Sequence, residues 1–213
     1  MDTIKSKYHE TLAATVIKNL EKRQMEGYYC PTVEDAEKLA FSFLKDGQTV
    51  SFGGSMTLEE TGMLTALRHD PFIHLIDRST AKTPDETKKM YHDALSSDVY
   101  FMSTNAITTG GELVNIDGTG NRVAALIYGP ETVVILAGMN KIAANVDEAL
   151  SRVHNVATAQ NCIRLDKKTP CAITGACADC LSPDCICNQV VITRRSGIKG
   201  RIKVLLIGES FGY

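Results

Sequence analysis

Short apolar runs separated by segments of helical periodicity constrain this chain more than any other feature: Thr49-Val50-Ser51-Phe52, residues 72–76, residues 98–102 and residues 132–137. Such runs are too short for core helices, and apart from the alternating Thr49-Val50-Ser51-Phe52 they lack the polar alternation of a half-exposed strand, so they belong in a sheet covered on both faces. Strand–helix alternation of this kind gives an α/β fold with a mainly parallel open sheet and flanking helices. The helical segments have their own signals. In residues 5–25, Tyr8, Leu12, Val16 and Leu20 fall on one face, so residues 1–25 read as an amphipathic helix that docks on the body, residues 26–213, or on a second copy of the chain. Thr32-Val33-Glu34-Asp35 opens a helix that Asp46-Gly47 ends, and Thr57 with Glu60 caps a helix over residues 57–69. Residues 84–96 and 145–157 continue the helical series.

Two stretches read differently. Residues 112–116 and 122–128 flank Asp117-Gly118-Thr119-Gly120-Asn121, which suggests a hairpin or a bulged pair. Residues 189–194 and 201–207 read as strands joined across Ser196-Gly197, most simply a C-terminal antiparallel ribbon. The run 132–137 is the expected central strand.

With 213 residues, 44% hydrophobic and 23% charged, the chain has the composition of one ordinary globular domain. A net charge of −2 offers no broad attraction to nucleic acid or anionic lipid. No stretch approaches the roughly 20 apolar residues of a membrane span, and Met1-Asp2-Thr3-Ile4-Lys5 opens no apolar leader. The expectation is a cytoplasmic protein without nucleic-acid or membrane partners. Seven cysteines, six of them after position 160, then suggest ligation rather than disulfides.

Four constellations can carry chemistry. In Gly53-Gly54-Ser55-Met56-Thr57, at a strand-to-helix junction, the glycines let the backbone approach an anion while Ser55 and Thr57 donate to it. The P-loop lysine and the third dinucleotide glycine are both absent, and the plain alternative is a tight turn with a helix cap. The polar run 103–122 begins where a parallel strand should end, the usual ligand edge of an open α/β sheet. There Glu112 is a candidate general acid/base, Asn105, Thr108 and Asn115 are candidate ligand contacts, and Arg122 a candidate anion clamp. Asp117 and the glycines also suit a turn. Gly138-Met139-Asn140-Lys141 follows the central strand, which offers Asn140 to a ligand and makes Lys141 an anion partner, a base or an amine nucleophile.

The fourth is residues 162–188. Five cysteines fall within 171–187, with Cys162 upstream, and the Cys177-x2-Cys180 turn can point both sulfurs at one soft metal. Cys171, Cys177, Cys180 and Cys187 make the best quartet, because Cys185 and Cys187 face opposite sides of an extended segment. Four thiolates suit zinc and an iron–sulfur cluster equally. This centre is expected to stand apart from the ligand cleft. The five histidines are scattered without ligand spacing.

Ser51 to Thr57 followed by Leu58-Glu59-Glu60-Thr61-Gly62, the run 104–122, Gly138 to Lys141 and the Thr-Pro-Cys…Cys-x2-Cys…Ile-Cys-Asn tail together resemble the lactate-utilisation (LUD) domain family. The resemblance implies a fold similar to the ribose-5-phosphate isomerase and CoA-transferase group. It also implies a small anionic metabolite in lactate or organic-acid utilisation, beside an iron–sulfur oxidoreductase partner. Alternatives are a redox accessory protein built on the cysteine centre and a sugar-phosphate isomerase or CoA-transferase-like enzyme, and a homo-oligomer is compatible with every one of these readings. Asn105-Ala106-Ile107-Thr108-x-x-Gly111-Glu112-Leu113-Val114-Asn115 also resembles a stretch of the methylthioribose phosphate isomerases, which place a catalytic aspartate where this chain has Asn105. An amide takes no proton from carbon, so the resemblance carries a ligand position and not that mechanism.

Overall fold

A computed structural model of the chain describes residues 3–213. Met1 and Asp2, part of the expected N-terminal segment, lie outside the described residues. Ten strands, numbered along the chain, fall into two sheets. The larger, ordered β1-β10-β7-β4-β2-β3, contains β1 (Glu26–Cys30), β2 (Thr49–Phe52), β3 (His74–Ile76), β4 (Val99–Met102), β7 (Thr132–Gly138) and β10 (Ile202–Ile207), every pair parallel. The smaller, ordered β8-β5-β6-β9, is mixed and contains β5 (Ala106–Thr108), β6 (Leu113–Asp117), β8 (Ile142–Ala143) and β9 (Gln189–Thr193). The helices are α1 (Thr3–Lys22), α2 (Val33–Phe41), α3 (Met56–Glu60), α4 (Met63–His69), α5 (Pro84–Leu95), α6 (Asn121–Ile127), α7 (Val146–Arg152), α8 (Ala159–Arg164) and α9 (Pro170–Thr174). No described helix is long and apolar enough to cross a membrane.

The alternation along β7 explains the layers. Val133, Ile135 and Ala137 face a core shared with Val16 and Leu20 of α1 and Leu126 of α6. Val134 and Leu136 face the opposite core, with Ala36 and Ala40 of α2 and Leu58, Leu64 and Leu67 of α3 and α4. A strand buried on both sides needs an unbroken apolar run, which is what β7 has. The expected 57–69 helix is interrupted at Thr61-Gly62, giving α3 and α4. The segment expected over 145–157 continues through a π-helical stretch, Val153–Thr158, into α8.

Two local expectations are corrected. The C-terminal strands do not form a ribbon with each other. β10 inserts between β1 and β7, and five of its six residues are buried because Ile202-Lys203-Val204-Leu205-Leu206-Ile207 can be covered on both faces. β9 keeps alternating exposure and pairs antiparallel with β6 in the other sheet. The second strand of the expected 112–128 hairpin is instead helix α6. Asp117 Oδ1 accepts the N–H groups of Thr119 (3.2 Å) and Gly120 (2.8 Å), and Gly120, at φ +91°, turns the chain into the helix. Val123, Ala125 and Leu126 then bury one helical face.

Arg201 ties these elements together. Its buried guanidinium donates to the carbonyls of Leu126 (2.7 Å), Ala125 (2.8 Å) and Pro130 (2.8 Å), which fastens the C-terminal end of α6 to the start of β10. Helix C-terminal carbonyls lack intrahelical donors and carry partial negative charge, so a cation there is doubly favourable. Arg201→Met is expected to lower stability by about 2–3 kcal/mol, the loss of charged hydrogen bonds from buried acceptors. Urea unfolding followed by circular dichroism measures it, and a midpoint equal to wild type would remove Arg201 from this role.

Candidate functional site

A cleft of about 510 Å³ opens where the chain leaves β2, β4 and β7. The carboxyl edge of a parallel sheet gathers such loops by topology. Residues from the first three constellations meet there, and so does one cysteine.

From β2, Gly53 and Gly54 make room for arginines. A Cβ on Gly53 would lie 3.1 Å from the Arg122 side chain and from Tyr100 Oη, and one on Gly54 would strike the Arg78 guanidinium. Ser55 Oγ caps α3 by accepting the N–H of Leu58 at 3.4 Å. The loop is thus a helix cap and a passage for two cationic side chains at once. Arg78, in a 3-10 turn after β3, was not singled out by motif. Its guanidinium lies 5.7 Å from the centre of the Tyr91 ring and has no hydrogen bond or ion pair among the described residues. Only its place just past a strand end, in Asp77-Arg78-Ser79-Thr80, could have pointed to it.

Beyond β4, Ser103-Thr104-Asn105 is organised around Arg122 from α6. Arg122 donates to Asn115 Oδ1 (2.5 Å), Asn105 Oδ1 (2.9 Å), the Ile116 carbonyl (2.8 Å) and the Ser103 carbonyl (3.2 Å), and pairs with Asp117 at 3.3 Å. All five of its N–H groups therefore have protein acceptors. Burial pulls its pKa down while Asp117 opposes the shift. This guanidinium builds the wall of the cleft. Asn105 Oδ1 also accepts the Ile116 N–H, while its amide nitrogen has no hydrogen bond to a described residue. Asn115 is fully buried and its amide nitrogen has no partner.

After β7, Gly138 leads into the 3-10 turn Met139–Lys141. Lys141 is only 4% exposed, yet it lines the cleft. Its Nζ donates to Ser103 Oγ at 3.2 Å and forms no ion pair among the described residues. Burial, reinforced by the positive charges of Arg152 and Arg122 against a weaker pull from Glu60, lowers its pKa to about 7. Arg152 of α7 braces the adjacent loops through the carbonyls of Asn140 (3.0 Å) and Asn105 (2.8 Å). Asn140 and Thr57 turn toward residues 209–213. The Asn140 amide donates to the Gly212 carbonyl (3.2 Å) and accepts the Phe211 N–H (3.2 Å), while Thr57 Oγ1 donates to the Phe211 carbonyl (3.2 Å). Tyr213 lines the cleft at the end of this segment.

Glu112 and Thr108 stand elsewhere. Glu112 pairs with Arg23 and accepts from Thr108 Oγ1, in the turn between β5 and β6 that anchors the end of α1. Asn19 of α1 adds a 2.9 Å bond to the Thr109 carbonyl. A glycine-rich turn full of hydroxyls resembles a ligand loop in sequence, and here its partner is a helix of the same chain.

The cysteines are not assembled as a quartet. Among the described residues, no three of His, Cys, Asp or Glu are gathered in a way that could hold a metal ion. Pro170 starts α9 and turns Cys171 inward beside Cys162, in a small core with Ala159. Cys177 Sγ instead lies 3.7 Å from His154 Nδ1. Cys180, half-buried, has its pKa lowered chiefly by the Ser182 backbone, whereas burial pushes Cys187 up to about 12. The segment does not stand apart from the cleft, because Cys185 and its neighbours Asp184 and Ile186 form one of its walls.

Fold and cleft together define an α/β protein with a cleft rich in cationic side chains at the carboxyl edge of a parallel sheet. Residues 13–207 match the family model of the LUD domain, and the chain belongs to that family. Among solved structures it is similar to a DUF162 family protein from Deinococcus radiodurans, with a TM-score of 0.53 and 11% identity over 93% of this chain and 98% of that chain. Partial likenesses extend to eIF2B beta from Chaetomium thermophilum (TM-score 0.37, 14% identity, 54% of this chain and 44% of that chain). The tetrameric eIF2B-beta2-delta2 complex from C. thermophilum gives a TM-score of 0.37 and 18% identity over 54% of this chain and 43% of that chain. No curated protein matches the chain.

Proposed function

We propose that this LUD domain binds a small carboxylate anion of the lactate and pyruvate class in the strand-end cleft, as part of organic-acid utilisation. The observation that carries this reading is Lys141, an amine buried in the cleft with a serine hydroxyl as its hydrogen-bond partner and no carboxylate paired to it. Arg78 in the same cleft also lacks an anionic partner. Cations held out of water without counter-charge favour an anionic ligand that supplies it. Asn105 adds a free amide donor.

The affinity should carry the signature of Lys141. An anion stabilises the protonated amine, so binding is strongest below pH about 7 and weakens above it by up to about tenfold per pH unit until the ligand-bound pKa is reached. Calorimetric titration of lactate, pyruvate and phosphate from about pH 6 to about pH 9 reads this dependence, and Arg78→Ala is expected to weaken the preferred anion by roughly tenfold. A flat pH profile, or no binding of any of the three, sinks the proposal.

Cys185 on the cleft wall favours a second reading, in which thiols of residues 162–188 exchange electrons with a partner oxidoreductase. Anaerobic purification with thiol titration and iron and zinc analysis separates it from a metal-bound staple.

A further inference from the structure

The hydrogen bonds around Lys141 leave it equipped for more than charge attraction. Ser103 Oγ lies 3.3 Å from the Thr104 carbonyl, to which it can donate, and accepts from Lys141 Nζ at 3.2 Å. The amine therefore gives Ser103 an N–H, and its nitrogen lone pair, once the group is neutral, is engaged by no protein donor. Arg122 and Arg152 place positive charge near the amine, and their own donors are turned onto carbonyls, side-chain oxygens and Asp117. Lys167 also lines the cleft but is partly exposed and faces Asp184 at 3.9 Å.

From this geometry we infer that Lys141 is a nucleophilic amine that forms an imine with the carbonyl carbon of a 2-oxo acid, whose carboxylate is received by Arg78. The inference rests on the anion-binding reading of the cleft and names the substrate class for it. In the step, the Nζ lone pair attacks the carbonyl carbon and a C–N bond forms as the carbonyl oxygen takes up a proton. The resulting carbinolamine loses that oxygen as water, with the second nitrogen proton leaving to solvent. One water is released per imine, and nothing is oxidised or reduced. Burial holds the Lys141 pKa well below that of an exposed lysine, so a far larger share of it is neutral near pH 7 and the reaction favours this residue.

The test is reductive trapping of the full chain with pyruvate and cyanoborohydride, followed by intact-mass and peptide mass spectrometry. One adduct on the peptide bearing Lys141 is expected, with a rate that rises as pH passes about 7. Lys141→Arg, which keeps a cation but has no nucleophilic amine, should lose the adduct. Pyruvate binding without an adduct, or label scattered over surface lysines, overturns the imine and leaves anion binding standing. Absence of both pyruvate and lactate binding overturns the two together. Mapping the adduct on wild type decides the matter even if the arginine variant fails to fold.

Discussion

Arg122→Met is expected to lower the unfolding free energy by about 3–5 kcal/mol and to abolish ligand binding with it. The side chain of Arg122 is 12% exposed and that of Asp117 8%, so the pair is held largely out of water. Removing the guanidinium strands Asp117, which keeps only the two N–H groups of its turn. It also releases the oxygens of Asn105 and Asn115 and the carbonyls of Ser103 and Ile116 from their shared donor. Each buried acceptor left without a partner costs about 1–3 kcal/mol, partly offset by rearrangement and water entry. The methionine retains most of the apolar contact with Gly53, so the loss reads polar organisation rather than volume. Urea unfolding measures it. A change below about 1 kcal/mol would mean that the loops after β4 and β6 hold their shape without this hub.

Much of this fold was legible because strands buried on both faces announce themselves. The runs that became β2, β4 and β7 contain few polar residues, and their loops end at the sheet's carboxyl edge as parallel topology requires. The errors have physical causes. Residues 201–207 carry the apolar run Val204-Leu205-Leu206-Ile207, yet their nearness in sequence to 189–194 favours a local ribbon, whereas burying both faces requires insertion beside β7. Residues 123–127 carry strand-like Val, Leu and Ile, but the Asp117 turn and Gly120 start a helix before a strand can pair.

The site was legible in part, for a different reason. Lys141 and Asn105 follow strand ends, so topology alone brings them together. Arg78 was invisible because its value lies in what it does not contact. Glu112 carried the chemistry of an acid/base but is committed to Arg23, a partner 89 residues away that no spacing rule links to it. Cys177-x2-Cys180 has ligand spacing, and beyond the end of α9 Cys177 Sγ lies 3.7 Å from His154 Nδ1, a neighbour that spacing in the sequence does not reveal.

Lys141→Met should separate stability from function most sharply. A buried, unpaired amine is a cost to folding when protonated, and a methionine of similar length removes that cost. The folded pKa of about 7 lies below the roughly 10.4 of an unfolded lysine, so between these values the unfolded chain holds more protons than the folded one. Stability contributed by this residue therefore rises with pH across that window, and the penalty is fully present below about pH 7. The methionine variant should be more stable than wild type by about 1–4 kcal/mol near pH 6, with the advantage shrinking toward pH 10, while anion affinity falls at least about a hundredfold. Thermal melts across pH, with and without pyruvate or lactate, read both effects in one series. A variant less stable than wild type at every pH would make Lys141 a structural residue, and the cleft's surplus of positive charge would then serve the fold. The expected opposite result is a site that keeps a destabilising group because the ligand, absent from the unfolded chain, compensates it on binding.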